Sequence, residues 1–189
     1  MIIKQFIPLI VASQFLSTGL VASSYVGLDI ARANNTLKGG ITASQRETSS
    51  AVGLKYIYGK DGSSKYQVRL SYNHYFDPIF DDKNQDLYDL GFDYIHEFGA
   101  QYDIYPYVKV GVGLGTMSVD NVSQSHINAI SFNAGFGISF RLPEHFYLVT
   151  GFEYLGRSWQ DIKYTTSQDE TLSTYSYGLG VYVGVNYGF

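Results

Sequence analysis

The sequence predicts an all-β fold: a closed, eight-stranded, antiparallel, up-and-down transmembrane β-barrel. Three observations lead to this prediction: an apolar residue at every second position of the last segment, seven further segments with the same alternation, and glycine along their opposite face. The chain has 189 residues, including 18 Tyr, 12 Phe and 20 Gly but no Cys. Aromatic residues favour strands and glycine permits close backbone approach, while the absence of Cys excludes disulfides and thiolate metal sites.

The segment 175–189 shows the alternation most clearly. Its odd positions are all apolar, whereas most of its even positions are glycine or small polar residues. This is the period of a β-strand with one apolar face. From Tyr177 to Tyr187 the strand would be about 33 Å long at ~3.3 Å per residue, or about 25 Å high at a ~40° tilt, which matches the apolar band of a transmembrane barrel. Aromatic residues at both ends of the row fit the two interfaces of a bilayer.

Seven more segments repeat this pattern, and turn-rich sequence separates them. We predict that their apolar rows face outward. Short links alternate with long polar links at 34–48, 77–85, 118–128 and 160–171, as expected of a barrel with short turns at one end and loops at the other. The rows are Val26, Leu28, Ile30; Val52, Leu54, Tyr56, Tyr58; Tyr66, Val68, Leu70, Tyr72; Tyr88, Leu90, Phe92, Tyr94; Val108, Val110, Val112, Leu114; Ile130, Phe132, Ala134, Phe136, Ile138, Phe140; and Phe146, Leu148, Thr150, Phe152, Tyr154.

The opposite face decides whether lipid or water surrounds the barrel. A soluble barrel of lipocalin type would show the same alternation with its apolar row turned inward. The second row is rich in glycine, which suits the narrow lumen of an eight-stranded barrel, whereas a water-facing row would carry Lys, Glu and Thr. Because an outward row of Tyr, Phe and Val on every strand would be a very large apolar patch in water, we predict lipid. The glycines are Gly53, Gly91, Gly111, Gly113, Gly135, Gly137, Gly151, Gly178, Gly180 and Gly184.

The first residues are typical of an export signal. Lys4 precedes an apolar stretch at 6–21, and the small residues Ala22, Ser23 and Ser24 follow it. The longest uninterrupted apolar run, 6–12, is far shorter than the ~20 residues of a membrane helix. We therefore predict a cleaved signal peptide at 1–22 and an outer-membrane barrel at 23–189. The formal charge of −4 comes without a basic stripe, so the sequence predicts no nucleic-acid partner.

Charged residues also occur on the predicted lumen face. Because unpaired charges would be costly there, we predict that Asp29 pairs with Lys55, and that Asp93 pairs with Arg69 and Lys109. One interpretation is a gated ion path. The other, which the narrow lumen favours, is a structural network of ion pairs that holds the strands in register. The whole predicted network is Asp29, Lys55, Arg69, Asp93, Lys109, Glu153 and Arg157.

The end of the chain carries a resemblance to a known family. The residues Tyr-Gly-Phe at 187–189, with valine at alternate positions before them, resemble the end of small outer-membrane barrels such as OmpX, Ail, NspA and the transmembrane part of OmpA. The segment 105–113, with Pro106 near a strand start, is similar to their fifth strand. The resemblance implies a bacterial outer-membrane location and recognition of Tyr187 and Phe189 by the barrel assembly machinery.

The expected partners follow from such a barrel. Its surface would contact outer-membrane lipid and lipopolysaccharide, and its outside loops would meet the environment. Since loops carry function on a rigid scaffold, we hypothesise adhesion, binding of a host or surface ligand, or a role in envelope integrity. We expect a monomer without a cofactor.

An enzyme is the main alternative class. Lipid A deacylases, which are similar eight-stranded barrels, use a Ser, a His and an acid, with a His-x-Ser pair on one strand face. Here the second residue after each histidine is not serine, and we therefore predict no catalytic residue. The four combinations are His74 with Phe76, His96 with Phe98, His126 with Asn128, and His145 with Tyr147.

Two further patterns have simpler interpretations. Asp82, Asn84 and Asp86 resemble the start of a calcium loop, but Leu87 stands where that loop needs glycine. We therefore predict a solvated acidic loop and no metal site. Trp159, near the outer end of its strand, is predicted to be an interfacial anchor.

Overall fold

The computed structural model describes residues 23–39, 45–77, 86–99, 103–119, 125–163 and 171–189. The predicted signal peptide at 1–22 lies outside these residues, as do Asp82 and Asn84 of the calcium-like pattern. The described part of the chain contains no helix with the length and hydropathy needed to cross a membrane. Its strands are β1 Ser23–Gly39, β2 Gln45–Gly59, β3 Ser64–Tyr75, β4 Asp86–Glu97, β5 Ile104–Ser118, β6 His126–Arg141, β7 Phe146–Lys163 and β8 Thr171–Gly188, with a 3-10 turn at Pro143–His145 before β7.

The eight strands close into a barrel. Each strand pairs antiparallel with its neighbours in the chain, and β8 also pairs with β1. The closing ladder runs from Tyr25 opposite Gly188 to Gly39 opposite Thr174. The predicted fold class, an all-β, closed, eight-stranded, up-and-down barrel, is therefore confirmed. The end at which β1 begins and β8 ends is called the terminal end below, and the opposite end is the loop end.

The outward side chains form a continuous apolar belt around the barrel. On β4, Tyr88 and Phe92 are exposed, whereas Leu87, which precedes Tyr88 and faces inward, is fully buried. The same alternation on the other strands turns the predicted rows outward, with Leu179 of β8 reaching 66% exposure. Such a contiguous surface is unfavourable in water, so the belt indicates apolar surroundings.

Strands at the loop end extend further than the sequence predicts. β1 continues to Gly39 and β2 begins at Gln45, although 34–48 is expected to be a link. The pairing runs unbroken from Asn34 opposite Thr48 to Leu37 opposite Gln45. Few apolar residues mark this stretch, but a backbone ladder needs no apolar row to satisfy its own hydrogen bonds. The β1–β2 hairpin therefore projects beyond the belt.

Glycine on the lumen face permits close approach of neighbouring groups. At Gly151 an added methyl carbon would lie 2.5 Å from the carbonyl oxygen of Phe136 and 2.8 Å from the hydroxyl of Tyr182. We expect Gly151→Ala to lower the free energy of unfolding by about 1–3 kcal/mol, because the backbone oxygen has little freedom to move. The temperature at which the folded gel band is lost measures this. Gly99→Ala is the control, since no described residue beyond its chain neighbours lies within 4 Å of a methyl group there; equal losses in both variants would contradict the steric argument.

The inward side chains fill the lumen in three layers. Mainly aromatic residues close the terminal end, charged residues occupy the middle, and apolar residues close the loop end. The terminal layer is Tyr25, Ile57, Ile95, Tyr105, Tyr107, Tyr147, Val149 and Tyr182. The middle layer is Asp29, Lys55, Arg69, Asp89, Asp93, Lys109, Glu153 and Arg157. The loop layer is Leu37, Tyr75, Leu87, Met117, Val119, Ile127, Ala129 and Trp159.

The position of Trp159 corrects one sequence prediction. Its side chain lies inside the barrel, 4% exposed, and its Nε1 donates a hydrogen bond to Ser176 Oγ at 3.0 Å. The interfacial anchor is therefore wrong. Residue type and height along β7 favour an anchor, but side chains alternate along a strand, and Trp159 shares the inward face with Val149.

Candidate functional site

The middle layer joins charges from strands on different sides of the lumen. Glu153 on β7 contacts Arg69 of β3, with Oε1 and Nη1 3.3 Å apart. Its other oxygen forms a shorter contact with Nζ of Lys109 on β5. All three side chains are largely buried, so each charge depends on the others for compensation.

The predicted pair of Asp29 and Lys55 is present across β1 and β2. Lys55 Nζ lies 3.2 Å from Asp29 Oδ2. Because Lys55 is buried, this contact supplies a charge partner that water does not. The pair connects β2 to β1, which forms the closing ladder with β8, and so supports the register of β1 and β2.

Asp93 keeps one of its two predicted partners, Arg69, and has two others that were not predicted. Arg69 Nε lies at the long distance of 4.0 Å, and Lys109, which the sequence pairs with Asp93, contacts Glu153 instead. Asp93 accepts hydrogen bonds from the amides of Gln67, at 2.5 Å, and Asn133, at 2.8 Å. These amides satisfy the hydrogen-bonding capacity of the buried Asp93 carboxylate. The long Lys109 side chain contacts the carboxylate of Glu153 on β7.

Arg157 connects the middle layer to the loop layer. It is 5% exposed; its Nη1 donates to the hydroxyl of Tyr75 at 2.8 Å and its Nη2 to Oδ1 of Asn73 at 3.3 Å. Its hydrogen bonds therefore go to neutral side chains. The charge of Arg157 nevertheless completes an equal number of acidic and basic residues in the middle layer.

Small cavities remain between the filled layers. One of about 30 Å³ lies beside Tyr107 and Lys109, and another of about 50 Å³ lies beside Arg69, Asp89 and Arg157. Since a cavity needs about 10–15 Å³ of such space to accommodate one water, each has room for at least one water. This part of the lumen can therefore hold ordered water among its ion pairs.

A group of five residues closes the terminal end, and we call it the terminal latch. Asp61, in the turn between β2 and β3, accepts hydrogen bonds from Tyr147 Oη and Lys65 Nζ, both at 2.7 Å, and from Tyr25 Oη. Lys65 Nζ also lies 2.8 Å from Glu97 Oε1. These contacts hold the turn at the terminal end of the lumen, against the aromatic rings of the terminal layer.

The electrostatics of the latch favour a charged Asp61. Burial alone would raise the pKa of this turn carboxyl, but hydrogen bonds from Lys65, Tyr25 and Tyr147 outweigh it, and the net effect lowers the pKa. Asp61 therefore stabilises the fold above the pKa that the carboxyl has in the unfolded chain. That contribution is lost as the pH falls through the lower pKa of the folded protein.

Glu47 lies next to the loop layer, beyond the apolar belt. Its Oε1 has no hydrogen-bond partner among the described residues. Burial, with a smaller contribution from Asp77, raises the pKa of Glu47 to about 7. The carboxyl is thus poised to change its charge near neutral pH at the mouth of the barrel.

Four polar residues lie side by side on the outer surface, at the loop-end edge of the belt, and we call them the outer row. The strand register places Arg32 opposite Ser50, Ser50 opposite His74, and His74 opposite Asp86, across β1 to β4. His74 Nδ1 lies 2.8 Å from Asp86 Oδ1, and the hydroxyl of Tyr72 donates to the same oxygen at 2.7 Å. Asp86 is thus in contact with two polar side chains of β3.

Reading along single strands does not reveal the outer row. A His-x-Ser pattern places the two side chains on one strand, whereas here Ser50 and His74 are on neighbouring strands. The short turn at 60–63 is the signal that fixes the register of β2 and β3 and brings them together. The link 78–85 before Asp86 is too long to fix its register from sequence.

The two residues carried over as an assembly signal lie at the closing seam. Phe189 is 57% exposed, and its backbone N donates to the carbonyl oxygen of Ser24 at 2.9 Å. The ring of Tyr187 faces outward and lies 5.1 Å from that of Phe146, measured between centroids. Both rings are therefore accessible from outside the barrel. Their recognition by the assembly machinery stays a prediction.

Comparisons with known proteins identify the fold. No protein-family model matches the chain, and no curated protein matches its sequence. It is similar to the structure of Neisserial surface protein A (NspA), with a TM-score of 0.60 and 18% identity over 90% of this chain and 100% of that one. It is also similar to the outer membrane protein OprG from Pseudomonas aeruginosa, with a TM-score of 0.57 and 13% identity over 89% of this chain and 96% of that one. The likeness to the outer membrane enzyme PagL is weaker, with a TM-score of 0.49 and 16% identity over 82% of this chain and 97% of that one.

At these identities the likeness shows a shared fold. The chain has the architecture of the small eight-stranded outer-membrane barrels.

Proposed function

We propose that the chain is an outer-membrane protein whose apolar belt contacts lipid and whose loop end faces the cell exterior. The observation that carries this proposal is the combination of a closed barrel, a continuous outward belt and a filled lumen. Closure pairs the backbone groups that hydrocarbon cannot satisfy, and an outward apolar row on every strand is what lipid requires. Lipid and lipopolysaccharide are then the immediate surroundings of the barrel.

The side chains of the three layers fill the lumen and act as a structural plug. The terminal latch and the loop layer lie at its two ends, and the ion pairs of the middle layer cross it between them. Because the lumen is filled, we assign function to the surface. The loop end is then a ligand-binding, adhesive or envelope-stabilising surface. The barrel assembly machinery and a host or surface ligand are the proposed protein partners of a monomer.

Planar-bilayer recordings test the plug. We expect the purified full chain to show no steady current, because charged side chains fill the middle of the lumen in the described barrel and the two cavities beside them are small. An open porin in the same bilayer is the control for sensitivity. A steady conductance that Arg69→Ala abolishes would contradict the plug and support a gated ion path.

Loop replacement tests the surface role. Exchanging 78–85 for a Gly-Ser segment of equal length alters the part of the chain between β3 and β4 and leaves the residues of the apolar belt unchanged. We expect reduced binding of expressing cells to host cells or reduced serum survival, at equal surface amount and equal gel migration. Unchanged binding and survival after exchange of 78–85 and also of 164–170 would weigh against an adhesin.

A further inference from the structure

We propose that the outer row is a hydrolase site that cleaves ester-linked acyl chains of phosphate-bearing membrane lipids, with Ser50 as nucleophile, His74 as general base and Asp86 as the residue that positions His74. This activity goes beyond the proposed role in surface binding. It rests on the proposed membrane location only for access to its substrate.

The order of the three residues is the one that nucleophilic catalysis needs. Ser50 and His74 occupy directly opposed positions of an antiparallel pair, where Cβ atoms are about 4.5–5.5 Å apart. Asp86 holds Nδ1 of His74 from the opposite side, at 2.8 Å. Nε2 of His74 is therefore left for the serine, and a carboxylate fixes the tautomer and stabilises the imidazolium.

Two other outward Ser–His pairs show what distinguishes this one. Ser118 lies opposite His126, whose Nδ1 is 2.9 Å from the hydroxyl of Ser125. Ser64 lies opposite His96, and the next strand places Val108 beside that histidine. In the pair of Ser50 and His74, the histidine also contacts a carboxylate, that of Asp86. Because of this difference, the two other pairs serve as internal controls.

A groove on the belt adjoins the serine. It has a volume of about 450 Å³, and Ser50 lines it together with Ile30, Val52 and Val183. This volume falls within the ~300–1,000 Å³ of small-molecule sites. Since its walls belong to the lipid-facing belt, an acyl chain can lie in the groove with its ester group at the level of Ser50.

Arg32 supplies the positive charge at the rim of this groove. It lies opposite Ser50 on β1, yet its guanidinium carbon is 5.8 Å from the ring centre of Phe76, the residue that follows β3. The side chain therefore extends across β2, the strand that carries the serine. A guanidinium there can bind a lipid phosphate or stabilise the oxyanion that forms during ester cleavage.

The proposed reaction is a balanced hydrolysis in two steps. Ser50 Oγ attacks the ester carbonyl carbon, its proton passes to His74 Nε2, and the ester C–O bond breaks as the alcohol leaves with that proton. Water then attacks the acyl-serine, again giving a proton to His74. The bond between the acyl carbon and Ser50 breaks, the serine regains its proton, and a free fatty acid is released.

A fluorophosphonate probe tests the nucleophile in detergent micelles, without a membrane. We expect the folded full chain to be labelled at Ser50, with loss of fluoride, and to remain unlabelled at Ser118 and Ser64. Ser50→Ala should remove the label, and His74→Gln should slow labelling by about 10²-fold or more. Asp86→Asn should also slow it, and Asp86→Glu should restore part of the rate, because positioning requires a carboxylate.

Gel migration before and after boiling confirms that each variant is folded. Ser118→Ala is the matched control, and its labelling at Ser50 should equal that of the unaltered chain. Absence of label at Ser50 in the folded chain, or an equal rate in His74→Gln, would overturn the catalytic site. Either result would leave the proposed outer-membrane role intact, since micelles do not test it.

Vesicles then identify the source of the acyl chain. The chain is inserted into phosphatidylethanolamine vesicles with and without lipopolysaccharide, and released fatty acid is measured by mass spectrometry. Release from vesicles without lipopolysaccharide assigns a glycerophospholipid substrate, and release that requires lipopolysaccharide assigns lipopolysaccharide itself. No release above Ser50→Ala from either would overturn the proposed hydrolysis.

Discussion

Replacing Glu153 by Gln is expected to lower the free energy of unfolding by about 3–5 kcal/mol, the range seen when one partner of a buried ion pair is removed. Glu153 is the carboxylate that Arg69 and Lys109 share from two other strands. Glutamine keeps the shape and a carbonyl oxygen but removes the charge, so two buried cations lose their common partner. Urea unfolding followed by the fluorescence of Trp159 measures the loss, because this single tryptophan is buried in the folded barrel.

Two further variants separate charge from general damage to β7. Asp161→Asn removes an exposed carboxylate that accepts a hydrogen bond from Ser173 at 2.9 Å, and we expect a change within about 0.5 kcal/mol. Combining Glu153→Gln with Lys109→Met removes a cation together with the carboxylate and should recover part of the stability. A loss below about 1 kcal/mol in Glu153→Gln would show that the cluster does not hold the strands together.

The faces of the strands were predictable because alternation is a local property. Tyr88 and Leu90 of β4 had to share one face whatever the rest of the chain did, and solvent preference then decided which face that was. Trp159 obeys the same rule, and its inward position follows from its parity with Val149. Residue type favoured the wrong answer because tryptophan is common both at interfaces and in cores.

Contacts between strands were predictable only where they are neighbours. Asp29 and Lys55 belong to adjacent strands and pair as predicted. By contrast, Lys109, which lies on the strand next to that of Asp93, contacts Glu153 instead. The contact between Arg69 and Glu153 crosses the lumen, and it depends on the stagger of all the strands between them. The same limit applies to Asp86, which meets His74 only after the register of β3 and β4 is known.

The terminal latch carries the second large effect. Lys65 is buried between Asp61 and Glu97, 2.7 Å and 2.8 Å from their oxygens. Replacing it by Met leaves two neighbouring carboxylates without their cation, and we expect a loss of about 3–5 kcal/mol at neutral pH. Lys60→Met removes an exposed lysine from the same turn and should have little effect.

The pH dependence of unfolding should also become steeper between about pH 7 and 5. In the unaltered chain the pKa of Asp61 is lowered on folding, so its contribution is complete above about pH 4 and is lost as the pH falls below that value. In Lys65→Met the cation that lowers this pKa is absent, and two like charges favour protonation of the folded state. Stability should therefore rise more steeply than in the unaltered chain as the pH falls from about 7 to 5, because Asp61 now joins Glu47 and Glu97, whose pKa values burial raises, in binding protons in the folded state. Urea unfolding at these pH values measures both slopes, and parallel slopes in the two proteins would show that Lys65 does not hold the latch by charge.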